Sequence, residues 1–400
     1  MKLPTWKRIA VHALLIAGSI AFLFPFVWLV TTSLKPIEQT MKMPPDWLPR
    51  ATYAPVCGER LKVVRERQVD QASVIATIEE GKRRGERVLL PASKLDDGKA
   101  EVEVRVADRT VVTHPEVAVE KRVPVGHWLV REKLERLPQE KGPAARWDCV
   151  AGVEVETKVE PAWHNYGGAI RYTGYYEFAV WGRVVRVPMF LVYVYNTLVV
   201  AVLGMVGTAF ASALAAYGFA RVKWRGRDVC FVLTLATMMV PFAVTMVPLY
   251  GVFRAMGWIG TLKPLWVPAC FGGAFSIFLL RQFFLTIPQD LSDAARIDGC
   301  SEFGIFWRII LPLSKPALAV VMLFHFMWAW KDFMGPLIFL TKKETFTLSL
   351  GLHFYQSQHG GSEWHYLMAA STLMILPIII LFFFTQRTFI QGISTTGMKG

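Results

Sequence analysis

The apolar residues of this chain are gathered into stretches long enough to cross a lipid bilayer, and that constrains the fold more than any other feature. Spanning the hydrocarbon core as a helix takes roughly 20 apolar residues, and a segment in lipid must satisfy its backbone N–H and C=O groups internally. Such stretches occur at residues 9–34, 190–220, 229–253, 265–285, 316–340 and 366–389. They predict an all-α polytopic membrane protein with six transmembrane helices. Only 19% of residues are charged and 53% are hydrophobic, whereas a soluble domain carries about a quarter charged residues. The first stretch begins with Lys2, Lys7 and Arg8, as a signal peptide does. Its apolar run, residues 9–34, exceeds the 7–15 residues of a signal core. It therefore reads as an uncleaved first helix, with Pro25 as a kink.

Charge gives orientation. Residues 51–160 hold 20 basic and 20 acidic side chains, so the whole net charge of +13 lies elsewhere. The basic residues outside 51–160 cluster at the ends of apolar segments, which is the positive-inside pattern and not a nucleic-acid footprint. Arg221, Lys223, Arg225 and Arg227 fall between the second and third stretches, and this is the strongest cytoplasmic signal in the chain. With six spans it places both termini in the cytoplasm, in a bilayer of the bacterial plasma (inner) membrane type. Arg281, Arg296, Arg308 and Lys315 put the loop after the fourth stretch on the same side.

This topology sends residues 35–188 outside. A structureless connection of that length is improbable, so residues 51–160 read as an inserted extracytoplasmic domain between helices 1 and 2. Residues 99–106, 109–112, 116–119 and 153–159 alternate or cluster like strands, separated by turn signals at Asp97-Gly98, His114-Pro115 and Pro124. Residues 72–84 and 128–137 show helical spacing. The expectation is a β-rich or α+β domain. The full division is 1–50 with the first helix, 51–160 as the inserted domain, 161–189 as a linker, and 190–400 as the core with five helices. Cys57 and Cys149 are the two cysteines outside the membrane region. In an oxidising compartment they are candidates for a disulfide clasping the base of the domain; the alternative is two unpaired thiols.

One loop carries more information than the spans. Asp293-Ala294-Ala295 is followed by Gly299 and, nine residues later, by Ile309-Ile310-Leu311-Pro312. Small Ala294 and Ala295 allow close approach of another surface, and Leu291 and Ile297 give a short helix an apolar side. Gly299 permits a turn. Phe303, Phe306, Trp307 and Ile310 then form a second amphipathic stretch. A helix–turn–helix of this kind suits docking into a partner's groove. An amphipathic connector lying at the membrane surface is the plainer alternative.

The spacing resembles the Glu-Ala-Ala (EAA) loop of ABC importer permeases, matched step for step except that Asp293 stands where the family usually has Glu. The carboxylate is kept and its reach is shortened by one methylene. The resemblance extends to LAAYGFARVKWRGR before residue 228, to residues 248–262, 278–288 and 387–400, and to the first helix. It points to the sugar-type group, similar to the smaller maltose-importer membrane subunit, and to an ABC type-1 permease fold. It leaves the inserted domain uncovered. The resemblance implies that Asp293, Ala294, Ala295, Asp298, Gly299, Ile309, Leu311 and Pro312, within loop 290–315, couple to separate ABC ATPase subunits. It further implies a second permease subunit in a heterodimer, an extracytoplasmic solute-binding protein, surrounding membrane lipid, and half of a path for a carbohydrate or related polar solute.

Absences narrow the chemistry. No Gly-x-x-x-x-Gly-Lys-Ser/Thr phosphate loop occurs, so ATP and Mg belong to the partner ATPase and this chain is expected to carry no cofactor. No HExxH or GxSxG pattern points to an enzyme or a metal. An ion-coupled secondary transporter or channel is the competing class, because Lys331, Asp332 and His325 are ionisable groups within the fifth stretch. Trp328, Trp330, Lys331, Asp332 and Phe333 are candidates for the solute path, with Phe242 and Tyr250 as further aromatics. Aromatics in membrane helices also serve as packing and interface anchors.

Overall fold

A computed structural model describes residues 5–79, 84–96, 99–100, 102–106, 109–113, 115–133, 145–180, 183–356 and 363–394. The chain divides into two compact units, Met1–Ser33 with Asn165–Gly400, and Leu34–His164. The second unit reaches beyond residues 51–160 at both ends. Each is described by itself.

The first unit opens with helix α1 (Thr5–Ser33), which contains Pro25. The second unit begins with the short helix α2 (Ile37–Thr40) and continues as strands. A five-stranded antiparallel sheet contains β1 (Arg50–Val56) and β2 (Glu59–Gln68). A three-stranded sheet is built from β3 (Ser73–Ile78), β4 (Arg87–Pro91) and β9 (Val117–Val123). Between them in sequence lie two small hairpins, β5 (Leu95–Asp96) with β6 (Lys99–Ala100), and β7 (Val102–Val106) with β8 (Arg109–Thr113). The large sheet is completed by β10 (Trp128–Glu132), β11 (Trp147–Val150) and β12 (Glu156–Val159), in the order β11-β10-β2-β1-β12. Ala54, Val56, Val63, Val130 and Val150 form its core, and Ile75, Val123 and Cys149 join Val69 in another cluster.

This unit is β-rich, and two expectations fail in it. The helical spacing at 72–84 and 128–137 belongs in its described parts to strands β3 and β10. Four of the first residues of β3 in a row are buried, so the strand is covered on both faces. A continuous apolar run of that kind looks the same in a buried strand and a buried helix. The turn at Asp97-Gly98 lies outside the described residues. The β1–β2 hairpin was not foreseen. Its turn residues Cys57 (φ 51°) and Gly58 (φ 84°) both have positive φ, which matches the right-handed twist of the strands but is uncommon for a residue other than Gly, Asn or Asp.

The first unit resumes at α3 (His164–Tyr172) and a hairpin of β13 (Tyr175–Val180) with β14 (Arg183–Pro188). It then turns helical: α4 (Met189–Ala220), α5 (Arg227–Ala236), α6 (Phe242–Ala255), α7 (Lys263–Trp266) and α8 (Ala274–Thr286). The loop region holds α9 (Gln289–Ile297), α10 (Glu302–Ile305) and α11 (Leu311–Leu313). The last helices are α12 (Lys315–Lys331), α13 (Met334–Phe339), α14 (Leu348–Gly351) and α15 (Trp364–Ser394). Four helical segments are long and apolar enough to cross a membrane: Val11–Ser33, Met189–Ala220, Lys263–Thr286 and Trp364–Thr385. Two further pairs, Arg227–Met239 with Phe242–Ala255 and Glu302–Leu313 with Lys315–Lys331, are bent by 98° and 79°. Pro241 caps α6 at the first bend in extended conformation, because its ring fixes φ and it has no N–H for a helix ladder.

α4 is the central post, with 14 buried residues distributed around it. Small residues let α12 and α8 approach: Ala201, Ala213 and Ala216 are among its most buried positions. A Cβ on Gly204 would overlap the His325 ring of α12, whose Nδ1 lies 3.1 Å from Thr208 Oγ1. Gly204→Leu is therefore expected to lose about 1–3 kcal/mol of stability by overpacking, read as a lower unfolding temperature of the detergent-solubilised protein. Adding His325→Ala should restore part of the loss. No recovery would mean that the ring is not what makes Gly204 necessary.

Candidate functional site

Helix α9 begins after Pro288 and ends in a glycine cap. The Cys300 N–H reaches Ala295 O (2.9 Å), the Gly299 N–H reaches Arg296 O (3.0 Å), and Gly299 has φ 79°. This is the Schellman arrangement, which turns the chain sharply and satisfies the last carbonyls. Ser301 then caps α10 through Gly304 N–H (3.2 Å). Two short amphipathic segments thus meet at a rigid turn. The second runs on through a π-helical stretch, Phe306–Ile310, into α11, and Ser314 marks the 79° bend into α12, its hydroxyl bonding Ile310 O (2.7 Å).

The loop has an inner and an outer face. Ala295, Ile305, Phe306 and Ile310 are buried in the largest apolar cluster, against Ala213, Ala216, Tyr217, Leu280, Phe284 and Val321. Ile309 and Leu311 are half-buried at its edge. Asp293, Ala294, Asp298, Gly299 and Pro312 are exposed. Large apolar groups share that outer surface: Ile297 is 87% exposed, Phe303 60% and Trp307 51%. Exposed apolar side chains rimmed by Asp290, Asp293 and Asp298 form a surface suited to contact with another protein.

Charges stiffen the loop. Arg296 bonds Asp293 (2.6 Å) and Glu302 (2.8 Å), so one guanidinium bridges the two segments. Arg296 and then the Tyr217 hydroxyl hold the Glu302 carboxyl below the usual carboxylate range. Tyr217 donates to Glu302 Oε2 at 2.6 Å. Arg221 is buried; its guanidinium donates to the carbonyls of Phe284 and Ile287 and to Gln289 Oε1 (2.7 Å). Sequence reasoning missed Tyr217, Arg221 and Gln289. The available signal was the i, i+4 pair of polar groups closing an apolar span, which places both on one face of a helix.

The candidate solute-path residues separate. Trp328, Lys331 and Phe333 are exposed at the end of α12. Trp330 is 1% exposed, stacks on Phe326 and donates its Nε1–H to Met374 O (3.0 Å). It is a packing residue between helices and faces no path. Asp332 is half-buried and accepts from Gly335 N–H (3.2 Å), next to the start of α13.

Cys57 and Cys149 are both free thiols, the second of the two alternatives. Cys57 sits exposed in the β1–β2 turn, beside Arg87 Nη1 (3.3 Å), and Cys149 is buried in a separate apolar cluster. The two side chains serve different environments.

A bundle of apolar helices with a rigid helix–turn–helix rooted in its core, presenting small, apolar and acidic groups outward, defines a membrane permease of ABC importer type. The chain belongs to the family described as binding-protein-dependent transport system inner membrane component, which its residues 207–395 match. It is 40% identical over 210 residues to the arabinooligosaccharides transport system permease protein AraQ of Bacillus subtilis, covering 52% of this chain and 73% of that relative. It is 32% identical over 212 residues to the trehalose/maltose transport system permease protein MalG of Thermococcus litoralis, covering 53% of this chain and 76% of that one. The structure resembles a chain of a bacterial ABC transporter involved in import of the acidic polysaccharide alginate, with TM-score 0.58 and 17% identity over 97% of this chain and 99% of that chain. The last likeness concerns the fold. The protein is a multi-pass membrane protein, and it is a permease subunit of an ABC importer.

Burial raises the Cys149 thiol to about 11, so at pH 8 roughly one molecule in a thousand carries the reactive thiolate. A maleimide without reductant should label Cys57 in the folded protein and reach Cys149 only after unfolding. Failure to label either without reductant would restore the disulfide.

Proposed function

We propose that this permease subunit pairs with a second, different permease subunit, docks one ATPase subunit through loop 289–313 while its partner docks another, and receives a carbohydrate or related polar solute from an extracytoplasmic binding protein. The observation that carries the reading is the outer face of the loop. Ala294, Ile297, Phe303 and Trp307 present a small-and-apolar surface that water does not favour and a protein groove does. ATP and Mg are held by the ATPase, and the loop transmits its closure to the helices as a two-state element. The carbohydrate class is drawn from relatives that carry arabinooligosaccharides or trehalose and maltose in their names.

Orientation follows in the same reading. The bent pair Arg227–Met239 with Phe242–Ala255 counts as one span and α12 as another, giving six, with the segment before α12 left in the docking loop, both termini in the cytoplasm and the β-rich unit outside. Two facts support it. Arg221, which opens the basic run, is hydrogen-bonded to the start of the loop, so the positive-inside signal and the docking loop meet at one end of the bundle. Lys331 and Asp332 close α12 at the opposite end of that helix from Lys315, where a solute entering from outside would meet them.

The direct test is uptake by the assembled importer in proteoliposomes with labelled maltose and arabinooligosaccharide. Uptake should require ATP and the binding protein. Uptake that persists without ATP and stops when an ion gradient is collapsed would sink the reading. Gly299 supplies a finer test. A β-branched residue is a true outlier at φ 79°, so Gly299→Val should reduce co-purification of the ATPase about tenfold, while Gly299→Asn should stay near wild type, since Asn tolerates that region. Equal retention by both variants would show that the turn is not needed for docking.

A further inference from the structure

The last turn of α4 holds the coupling loop at two points. Tyr217 and Arg221 stand four residues apart, on one face of the helix. The Tyr217 hydroxyl binds Glu302 at the start of α10 (2.6 Å). The Arg221 guanidinium binds Gln289 at the start of α9 (2.7 Å) and the carbonyls of Phe284 and Ile287 at the end of α8. Each segment of the helix–turn–helix is therefore gripped in its own first turn by the same helix. Arg296 closes the frame by joining Asp293 to Glu302. One contact would let the loop pivot. Two contacts, with the Tyr217 ring packed on Phe306 (5.3 Å), make the loop and the end of α4 move together.

The other end of α4 is held in the same manner. Asn196 Nδ2 donates to the carbonyls of Glu344 (2.8 Å) and Phe346 (3.0 Å), and the Leu348 N–H donates to Thr197 Oγ1 (2.8 Å). Ser349 in turn donates to the backbone carbonyl of Asp332. Tyr217 follows Thr197 by 20 helical steps of α4, about 30 Å at 1.5 Å per residue. A continuous helix thus connects the ATPase-facing loop to the segment that carries Asp332 and its exposed neighbours.

We propose that α4 is the transmission rod of this permease, with Tyr217 and Arg221 as the positioning residues that couple loop movement to it, and Asn196 and Thr197 as those that deliver the movement to residues 341–350. The proposal deepens the reading of loop 289–313 as the ATPase-docking element and rests on it. Rigid elements joined by hydrogen-bond networks are the physical means by which distant sites bias each other, and coupling measurements are what establish them.

The test is hydrogen exchange on the complete importer, with its ATPase subunits, in lipid nanodiscs with and without a non-hydrolysable ATP analogue and Mg. In the wild type the analogue should change exchange in peptides covering both 289–302 and 341–350. Tyr217→Phe keeps the ring and removes only the hydroxyl. It should leave the response at 289–302 and reduce the response at 341–350 roughly tenfold, the scale of a lost charge-assisted hydrogen bond. Glu302→Gln removes the charge that both Tyr217 and Arg296 bond, so it should reduce that response at least as far, and the double variant should show less than the product of the two single effects, since they share one bond. Arg221→Lys should fall between wild type and Arg221→Gln, because an ammonium cannot reproduce the fork geometry. Responses at 341–350 within twofold of wild type in both Tyr217→Phe and Glu302→Gln, or effects that multiply in the double variant, would overturn the proposal. A wild-type complex in which neither segment responds would instead overturn the docking reading beneath it.

Discussion

Backbone groups at helix ends have no partner within their own helix, and inside a bundle that sits in lipid there is no water to supply one. This constraint governs the core of the molecule. Where helices break near the bundle, named side chains take up the orphaned groups. Arg221 receives the carbonyls at the end of α8. Asp332 accepts an N–H at the start of α13, Ser301 caps α10, and Ser314 binds back at the bend before α12. These polar side chains sit at joints of the helices.

One of these joints lies at the loop proposed to dock the ATPase. Arg221 satisfies α8 and also fixes the first turn of that loop, so one guanidinium closes a helix end and orients the loop. The apolar cluster around Phe284, Ile305, Phe306 and Ile310 continues that design, since the inner face of the loop is part of the largest buried cluster described. A loop rooted in this way behaves as a part of the helical body and not as a hinged appendage. That is the mechanical property a coupling element needs.

The sequence made some of this legible and concealed the rest for physical reasons. Apolar length located the helices, because a bilayer imposes a minimum run. It did not show that residues 229–253 are broken, since Pro241 interrupts geometry without interrupting hydropathy, whereas Lys331-Asp332 mark the break in 316–340 openly. The helix–turn–helix at residues 289–313 was legible because Gly299 supplies the positive φ of its turn and the small Ala295 is buried against the core. The burial of Trp330 was not legible, because a buried and an exposed tryptophan look alike until the neighbouring α15 supplies Met374 O. In the β-rich unit the alternating strands were readable and the buried strand β3 was not, since period-2 patterning vanishes when both faces of a strand are covered.

The β1–β2 turn shows why the two cysteines stay apart. Cys57 occupies a position of positive φ in a tight hairpin turn, where it is exposed and lies beside Arg87. Cys149 pairs in register with Leu129 on β10, and its side chain is packed with Val69, Ile75 and Val123. The Cys149 side chain belongs to the apolar contacts that join the large sheet to the three-stranded one, while the Cys57 N–H donates to the neighbouring Asp148 (3.3 Å). The fold of this unit is held by its valine and isoleucine clusters and by antiparallel register, so the sequence positions of the cysteines at its two ends do not imply that a covalent clasp holds it.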